Sequence, residues 1–295
     1  MPPSDSIATV GLIAKRNLAA AAGVLAELAG WLEARGVRTV FESDTAQLAG
    51  VPEGRPTSAA DDLPRSCDLI VLLGGDGTLI GMAGRIARAG RNVPILAVNF
   101  GSLGFLTEIA LPELYDALEA VLAGRATMDT RAMLIARTIR KNAPFAEHIV
   151  LNDIVITKGA LSRIIEISVM VDAQTVTRVR ADGLIIATPT GSTAYNLAAG
   201  GPIVHPSVNA LLLTPIAPHT LTNRPVVIPG EVEVRVRPIM DGHDDVFVTF
   251  DGQSGFSLQA DDEVSVRKSP IAIRLVKSPQ RTYFAVLREK LKWGG

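Results

Sequence analysis

Three short stretches of this chain carry residue types that do chemistry. The first is Gly74-Gly75-Asp76-Gly77-Thr78. It follows an apolar run, Asp68 to Leu73, that reads as a buried strand, and it precedes a helical run from Leu79 to Ala89. A glycine turn between strand and helix leaves backbone N–H groups free at the strand's carboxyl end, where open α/β sheets bind ligands. Aligned N–H donors and the helix dipole favour phosphate there. Glycines allow a positive φ and a close ligand approach. Asp76 does not fit a simple phosphate nest, because an acid repels phosphate. It either holds a cation such as Mg²⁺ or takes a proton from an attacking hydroxyl. The plain alternative is a strand-to-helix turn with a capping Asp or Thr.

The second stretch runs from Ala181-Asp182-Gly183 through Thr188-Pro189-Thr190-Gly191-Ser192-Thr193-Ala194-Tyr195-Asn196. A short strand, Leu184 to Ala187, enters four hydroxyls and a glycine, and a helix is expected to follow. Hydroxyls with helix N–H groups make a second anion cradle, or else a cap with Ser/Thr turns. Tyr195 either stacks on a base or belongs to the core. The third stretch is Leu151-Asn152-Asp153, two polar residues inside an apolar strand from Ile149 to Ile156. Strands disfavour Asn and Asp, and burying them unpaired is costly. They face a polar ligand such as ribose hydroxyls, or they mark a bulge or edge.

Other chemistries are missing. No G-x-x-x-x-G-K-[ST] and no G-x-G-x-x-G after a strand is present. His148, His205, His219, His243 and the single Cys67 show no metal-ligand spacing. His219 reads as a structural hydrogen-bonding group and Cys67 as a packed residue beside the strand.

The elements that must position these residues follow two patterns. Ala8–Ala14, Val37–Phe41, Asp68–Leu73 and Pro94–Val98 read as strands. They alternate with helices over Leu18–Arg35 (capped by Asn17 and ended by Gly36), Leu79–Ala89 and Leu111–Ala123. A second glycine-marked turn spans Asn99 to Leu106, and residues 43–66 read as a loop with a short helix. Alternation implies a parallel, doubly wound sheet. From Thr127 the pattern changes to strands with short turns: Met133–Arg140, His148–Thr157, Ile164–Val171, Thr175–Arg180, Glu231–Arg237, Val246–Phe250, Glu263–Lys268 and Ile271–Val276. That is a mostly antiparallel domain. The expected fold class is an α/β doubly wound N-terminal domain, residues 1–126, plus a β-rich second domain, residues 127–278. A basic amphipathic helix, Thr282–Trp293, in a tail from about 279 to 295, is expected to pack back on the first domain.

Composition narrows the partners. A chain of 295 residues with 47% hydrophobic and 20% charged content folds as a globular protein. A net charge of −1 argues against broad binding to nucleic acid or an anionic membrane. One cysteine permits no intramolecular disulfide, which suits a reducing cytosol. No run of 18 uncharged apolar residues occurs and no basic leader precedes an apolar stretch. A cytoplasmic protein is expected.

Together these residues resemble the NAD kinase family of the bacterial type. Gly74 to Thr78 is similar to its G-G-D-G-T motif, and Asn152-Asp153 to its N-[DE] motif. Asp182-Gly183 with Thr188 to Tyr195 resembles its D-G…T-P-T-G-S-T-A-Y segment. Gly200-Gly201-Pro202, Thr214-Pro215-Ile216, Pro218-His219, Arg224-Pro225 and Asp251-Gly252-Gln253 extend the resemblance over most of the chain. The G-G-D-G motif is shared with diacylglycerol kinases and phosphofructokinases; the Thr188 to Tyr195 segment makes the resemblance specific. It implies transfer of the γ-phosphoryl of ATP to the adenosine-ribose 2′-hydroxyl of NAD, giving NADP.

The resemblance also assigns roles. Asp76 is implied as general base or aligner of the hydroxyl; an ordinary carboxylate is a weak base, so alignment and charge matter more than proton removal. Gly75, Gly77 and Thr78 are implied along phosphate, and Asn152 and Asp153 on ribose hydroxyls. Thr188, Thr190, Gly191, Ser192 and Thr193 are implied around phosphate and adenosine, with Ala194 and Tyr195 against adenine. Phe105 is implied beside the dinucleotide and Asp182 at the nicotinamide end. Gln253 belongs to the same binding set, and Arg180 is a candidate sensor of the dinucleotide's redox state. Mg²⁺ is implied as the partner of the ATP phosphates, with no direct protein ligand. A homodimer or homotetramer is implied, because the family's pocket is completed across a subunit interface. Ala198 departs from relatives that carry a serine contacting substrate. The competing readings are a lipid or diacylglycerol-type kinase, which needs an apolar or basic membrane patch, and a non-catalytic dinucleotide sensor, which has no need of Asp76.

Overall fold

Runs that are apolar apart from Thr9 and Asn99 in the first, fourth and fifth strands force them into the middle of a sheet covered on both faces. In the computed structural model, which describes residues 7–101, 103–159, 164–220, 222–240 and 245–293, these strands are β1 (Thr9–Ala14), β4 (Leu69–Gly74) and β5 (Ile95–Asn99). Between β1 and β4 come α1 (Ala21–Glu33), β2 (Arg38–Glu42), α2 (Ser43–Leu48), β3 (Thr57–Ser58) and α3 (Leu63–Ser66). Helix α4 (Asp76–Arg88) separates β4 from β5. Strand β6 (Ile109–Ala110), a 3-10 turn at Leu111–Glu113 and α5 (Leu114–Leu122) follow. The sheet order is β3-β2-β1-β4-β5, all parallel. Helix α4 buries Leu79, Met82, Ala83 and Ile86, one face of a 3.6-residue repeat.

The chain divides into two units, residues 1–130 with 273–295, and residues 131–272. The second unit holds most of β7 (Met128–Arg140) and β8 (Ala143–Val150), joined by a two-residue turn at Lys141 and Asn142, both with positive φ. It continues with β9 (Asp153–Lys158), β10 (Ile165–Val171), β11 (Gln174–Ala181) and β12 (Gly183–Ala187). A 3-10 turn (Thr190–Thr193) and a single helical turn, α6 (Tyr195–Ala198), come next. Strands β13 (Ala210–Ile216), β14 (Val226–Pro229), β15 (Val234–Ile239), β16 (Val246–Phe250), β17 (Ser254–Leu258) and β18 (Glu263–Val276) complete it. One antiparallel sheet runs β14-β13-β12-β9-β16-β17; β11, β10, β15 and β18 pair in another. A core including Ile154, Ile156, Leu184, Ile186, Val246 and Val248 lies on one face of the first of these sheets. In the first unit the end of β18 pairs with β5 at Leu275–Ile95, and α7 (Tyr283–Leu291) closes the chain, with the Thr282 hydroxyl accepting from Ala285 N.

The fold class is as expected, with local corrections. Asn17 does not cap α1; it takes φ +61° in a turn, and the helix starts at Ala21 with no side-chain cap. Residues 43–66 form two short helices, the first capped by Glu42, whose carboxylate accepts from Asp44 N and Thr45 N. The strand expected over His148–Thr157 is two strands broken at Leu151 and Asn152. The two strands expected over Glu263–Val276 are one, because Pro270 falls at an exposed position where a missing N–H costs little. Strands β13, β14 and β17 were not anticipated. Cys67 is buried, donates its thiol to Leu63 O, and is pushed up to about 12 by that burial. His243 lies outside the described residues.

Candidate active site

Two clusters, one in each unit, hold most of the residues singled out from the sequence. In the first unit, the connections from β1 and from β4 run to opposite sides of the sheet, so β1 and β4 border the topological switch point, the usual ligand crevice of an open α/β sheet. Gly75 is the N-cap of α4 and Asp76 its first residue, so the helix begins three residues earlier than its apolar periodicity indicates. None of Gly74, Gly75 and Gly77 has positive φ. Turn strain therefore does not explain these glycines, contrary to the sequence expectation. A Cβ at Gly75 or Gly77 would meet nothing within 4 Å. Thr78 is half-buried and its N donates to Gly75 O at 3.0 Å.

The Asp76 carboxylate is held by a loop the sequence reading did not assign to it. Phe105 N donates to Oδ2 at 2.8 Å. Leu106 N (3.2 Å), Thr107 N (3.1 Å) and Thr107 Oγ1 (3.0 Å) donate to Oδ1. Thr107 is fully buried, and its hydroxyl accepts from Asn99 Nδ2 at 3.1 Å. Gly104 makes this possible: a Cβ there would lie 2.0 Å from Asp76 Oδ1 and 2.4 Å from Thr107 Oγ1. Phe105 is half-buried, with Lys290 Nζ of α7 5.8 Å from its ring centre.

In the second unit the organiser is Asp251, in the β16–β17 turn, with φ +51° followed by Gly252 at +62°. Its carboxylate accepts from Leu151 N (2.8 Å), Asn152 N (2.7 Å) and Asp153 N (3.1 Å). Three amides spent on one side chain cannot join a strand ladder, which is why β8 and β9 separate there. An Asp-Gly pair between two strands is a hairpin signal, but nothing in the sequence points to the partners of this Asp. Gln253 is exposed in the same turn, its N donating to Phe250 O at 2.9 Å.

Asp153 is buried and, among the described residues, no hydrogen bond reaches its carboxylate. Burial, and secondarily the nearby Asp251 charge, lifts it to about 7. Burial also raises Asp251, against the lowering effect of its three amides. The Asn152 backbone carbonyl accepts from Thr188 N at 2.9 Å, and the Leu151 carbonyl from Thr188 Oγ1 at 2.6 Å. Gly191 packs on the same segment: its Cβ would lie 2.2 Å from Asn152 O.

The hydroxyl run is not a free anion cradle. Thr188 Oγ1 accepts from Gly191 N at 2.9 Å. Ser192 Oγ donates to Pro189 O at 2.6 Å and accepts from Val204 N at 3.0 Å. Thr193 Oγ1 donates to Thr190 O at 3.3 Å. Thr188 and Ser192 are fully buried and Thr190 is buried. The helix expected there is a four-residue 3-10 turn and then one turn of α6. The Thr188 hydroxyl braces the backbone at Leu151 while those of Ser192 and Thr193 tie down their own segment; Ala194 is half-buried and Tyr195 47% exposed beside it. Arg180 and Asp182 stand apart from these contacts: Arg180 is exposed on β11, and Asp182 Oδ1 is 3.9 Å from Lys158 Nζ between β11 and β12. The bond found at His219 is through its backbone N, to Arg180 O. Among the described residues no group of three or more His, Cys, Asp and Glu side chains could hold a metal ion. No described helix is long and apolar enough to cross a membrane.

Comparison with known proteins identifies the family. Residues 10–126 match the ATP-NAD kinase N-terminal domain and residues 151–278 the ATP-NAD kinase C-terminal domain. NAD kinase of Geotalea daltonii is 46% identical over 97% of this chain and 98% of its own, and that of Geobacter sulfurreducens 48% over the same shares. The structure is similar to yeast NADH kinase complexed with NADH (TM-score 0.89, 27% identity, 99% of this chain and 89% of that one). It shares the fold of an NAD kinase from Archaeoglobus fulgidus in complex with ATP (TM-score 0.74, 24% identity, 95% and 99%). The chain belongs to the ATP-NAD kinase family.

Proposed function

We propose that this chain transfers the γ-phosphoryl group of ATP to the 2′-hydroxyl of the adenosine ribose of NAD, producing NADP. The observation that carries the proposal is the setting of Asp76. The glycines on either side of it have ordinary backbone angles and open space where a side chain would be. A ligand lying against the backbone gives a reason for glycine where neither φ nor internal packing does.

In this reading the ribose oxygen attacks the γ-phosphorus, the bond to the ADP oxygen breaks, and its electron pair leaves with ADP. The hydroxyl proton passes to Asp76, whose Oδ2 accepts a single bond, from Phe105 N, and keeps a lone pair for it. The loop amides fix the carboxylate's direction, so alignment supplies much of its effect. Mg²⁺ arrives with ATP as part of the substrate and neutralises the phosphates. Asn152 and Asp153 take the ribose hydroxyls. A carboxylate buried without a donor is costly, and hydroxyls supply donors. Thr188 and Gly191 brace that segment, and Thr188, Thr190, Gly191, Ser192 and Thr193 line the phosphate and adenosine region, with Ala194 and Tyr195 beside the adenine. Phe105, Arg180, Asp182 and Gln253 complete the dinucleotide set, and Gly75, Gly77 and Thr78 lie along phosphate.

A homodimer or homotetramer in the cytosol is part of the same proposal. The exposed Val226 and Val227 on edge strand β14 support association. The test is incubation with NAD and γ-labelled MgATP. Label in a product accepted by an NADP-specific dehydrogenase is expected. Label in a lipid acceptor, or NAD binding with no transfer, would overturn the proposal.

A further inference from the structure

None of the groups that bond Asp76 is a cation, and Lys290 lies over the Phe105 ring, yet the donor brings several negative charges. Lys15 stands where that cation is needed. It is the first residue after β1, and its backbone N donates to Leu73 O at 2.8 Å, across the switch point to the end of β4. Beside it, a Cβ on Gly74 would lie 3.3 Å from Lys15 Cβ and 3.0 Å from Thr78 Oγ1. The lysine stem and the threonine hydroxyl therefore border the same strand end. Gly74 is a glycine for this reason, because a side chain would fill the space between them.

The ammonium is exposed and, among the described residues, no carboxylate lies in ion-pair range of it. Its neighbour Arg16 is different: its guanidinium is 2.9 Å from Asp44 Oδ2. The acid nearest in the motif, Asp76, is occupied by Phe105, Leu106 and Thr107. Two adjacent basic residues thus have different states, one ion-paired and one uncommitted at the carboxyl-end crevice.

We infer that Lys15 is the cation that binds the terminal phosphates of the nucleoside triphosphate in the β1–β4 crevice. This rests on the kinase reading above and adds to it a residue that no motif marks. Lysine suits the task as a mobile point charge on a long stem, able to follow the phosphate as it transfers. It contributes to donor binding and leaves the dinucleotide site of the second unit alone.

The experiment uses the full chain with Lys15→Met and Lys15→Arg. Melting temperatures within a degree or so of wild type are expected, since the side chain is exposed and unpaired. In steady-state assays, Lys15→Met should raise KM for MgATP about tenfold, the scale of one lost charge-assisted bond, with KM for NAD within about twofold. Lys15→Arg should recover most of the loss. Calorimetry with inorganic triphosphate as the probe should show the same tenfold weakening without turnover. An active wild type whose KM for MgATP and triphosphate affinity are unchanged by Lys15→Met overturns the inference alone, as does an equal rise in KM for NAD. A wild type that makes no NADP but whose triphosphate binding depends on Lys15 overturns the kinase reading and keeps the inference.

Discussion

Adding one methyl group at Gly104 tests whether the loop that holds Asp76 matters to the reaction. In Gly104→Ala the new Cβ would lie 2.0 Å from Asp76 Oδ1, 2.4 Å from Thr107 Oγ1 and 2.7 Å from Asp76 Cγ. Ordinary contact for such atoms is about 3.5 Å, so the carboxylate must retreat by more than about 1 Å. The four bonds it accepts, at 2.8 to 3.2 Å, cannot survive that together. A bond to a charged acceptor is worth roughly 1.5–3 kcal/mol net. Losing two and relaxing around the rest costs about 3 kcal/mol, a fall in Tm on the order of 10 °C for a protein of this size. A displacement of about 1 Å in a positioned group costs roughly 10²-fold in rate. The assay is kcat for NADP formation at saturating NAD and MgATP, beside a melting curve and NAD binding by calorimetry. We expect kcat down about 10²-fold, Tm lowered, and NAD affinity nearly kept, because the ribose-hydroxyl contacts proposed at Asn152 and Asp153 do not involve this loop. A variant with wild-type kcat and Tm would refute the argument.

Three further outcomes follow from the same geometry. Asp76→Asn should lower kcat by roughly 10²-fold or more; because the carboxylate only accepts bonds, the amide must turn an N–H donor toward one loop N–H, so Tm should also fall, by a cost of about 1–3 kcal/mol. Asp251→Ala strips the acceptor from three backbone amides and should destabilise the second unit by about 3 kcal/mol or more, read as a lower urea midpoint with a raised KM for NAD; an unchanged midpoint would contradict it. Asp153, lifted to about 7, holds its proton more tightly folded than unfolded. It therefore costs stability increasingly as pH rises from about 4 to 7, and Asp153→Asn should flatten that part of the profile. Ribose hydroxyls favour its charged form, so NAD should bind more tightly at pH about 8 than about 6 and release a proton on binding at the lower pH. Equal affinity at both with no proton release would count against the ribose role.

The parallel sheet was legible because β1, β4 and β5 are almost wholly apolar and glycines at 36, 90 and 124 end its helices with positive φ. The Asn152–Asp153 pair was legible as an anomaly, but its cause was not: the break comes from Asp251, about a hundred residues along the chain. The same limit hid the loop at 105–107, where backbone amides do the binding and no side-chain type announces them. The run Thr188–Thr193 misled in a different way. Hydroxyls that read as ligand donors are mostly spent on nearby backbone, a competition that local spacing does not resolve. Gly104 and Gly191 look like ordinary loop glycines, and only the packing shows that a methyl group would strike Asp76 or Asn152.

The central claim is that Asp76, aimed by its loop, serves phosphoryl transfer to NAD. The most direct measurement is NADP formation from NAD and MgATP, coupled to an NADP-specific dehydrogenase, in wild type and Asp76→Asn side by side at a temperature where both are folded. The account predicts steady NADP production by the wild type and a rate at least about 10²-fold lower in the variant, with NAD still bound by both. Equal rates in the two proteins, or no NADP from a wild type that binds NAD, would contradict it.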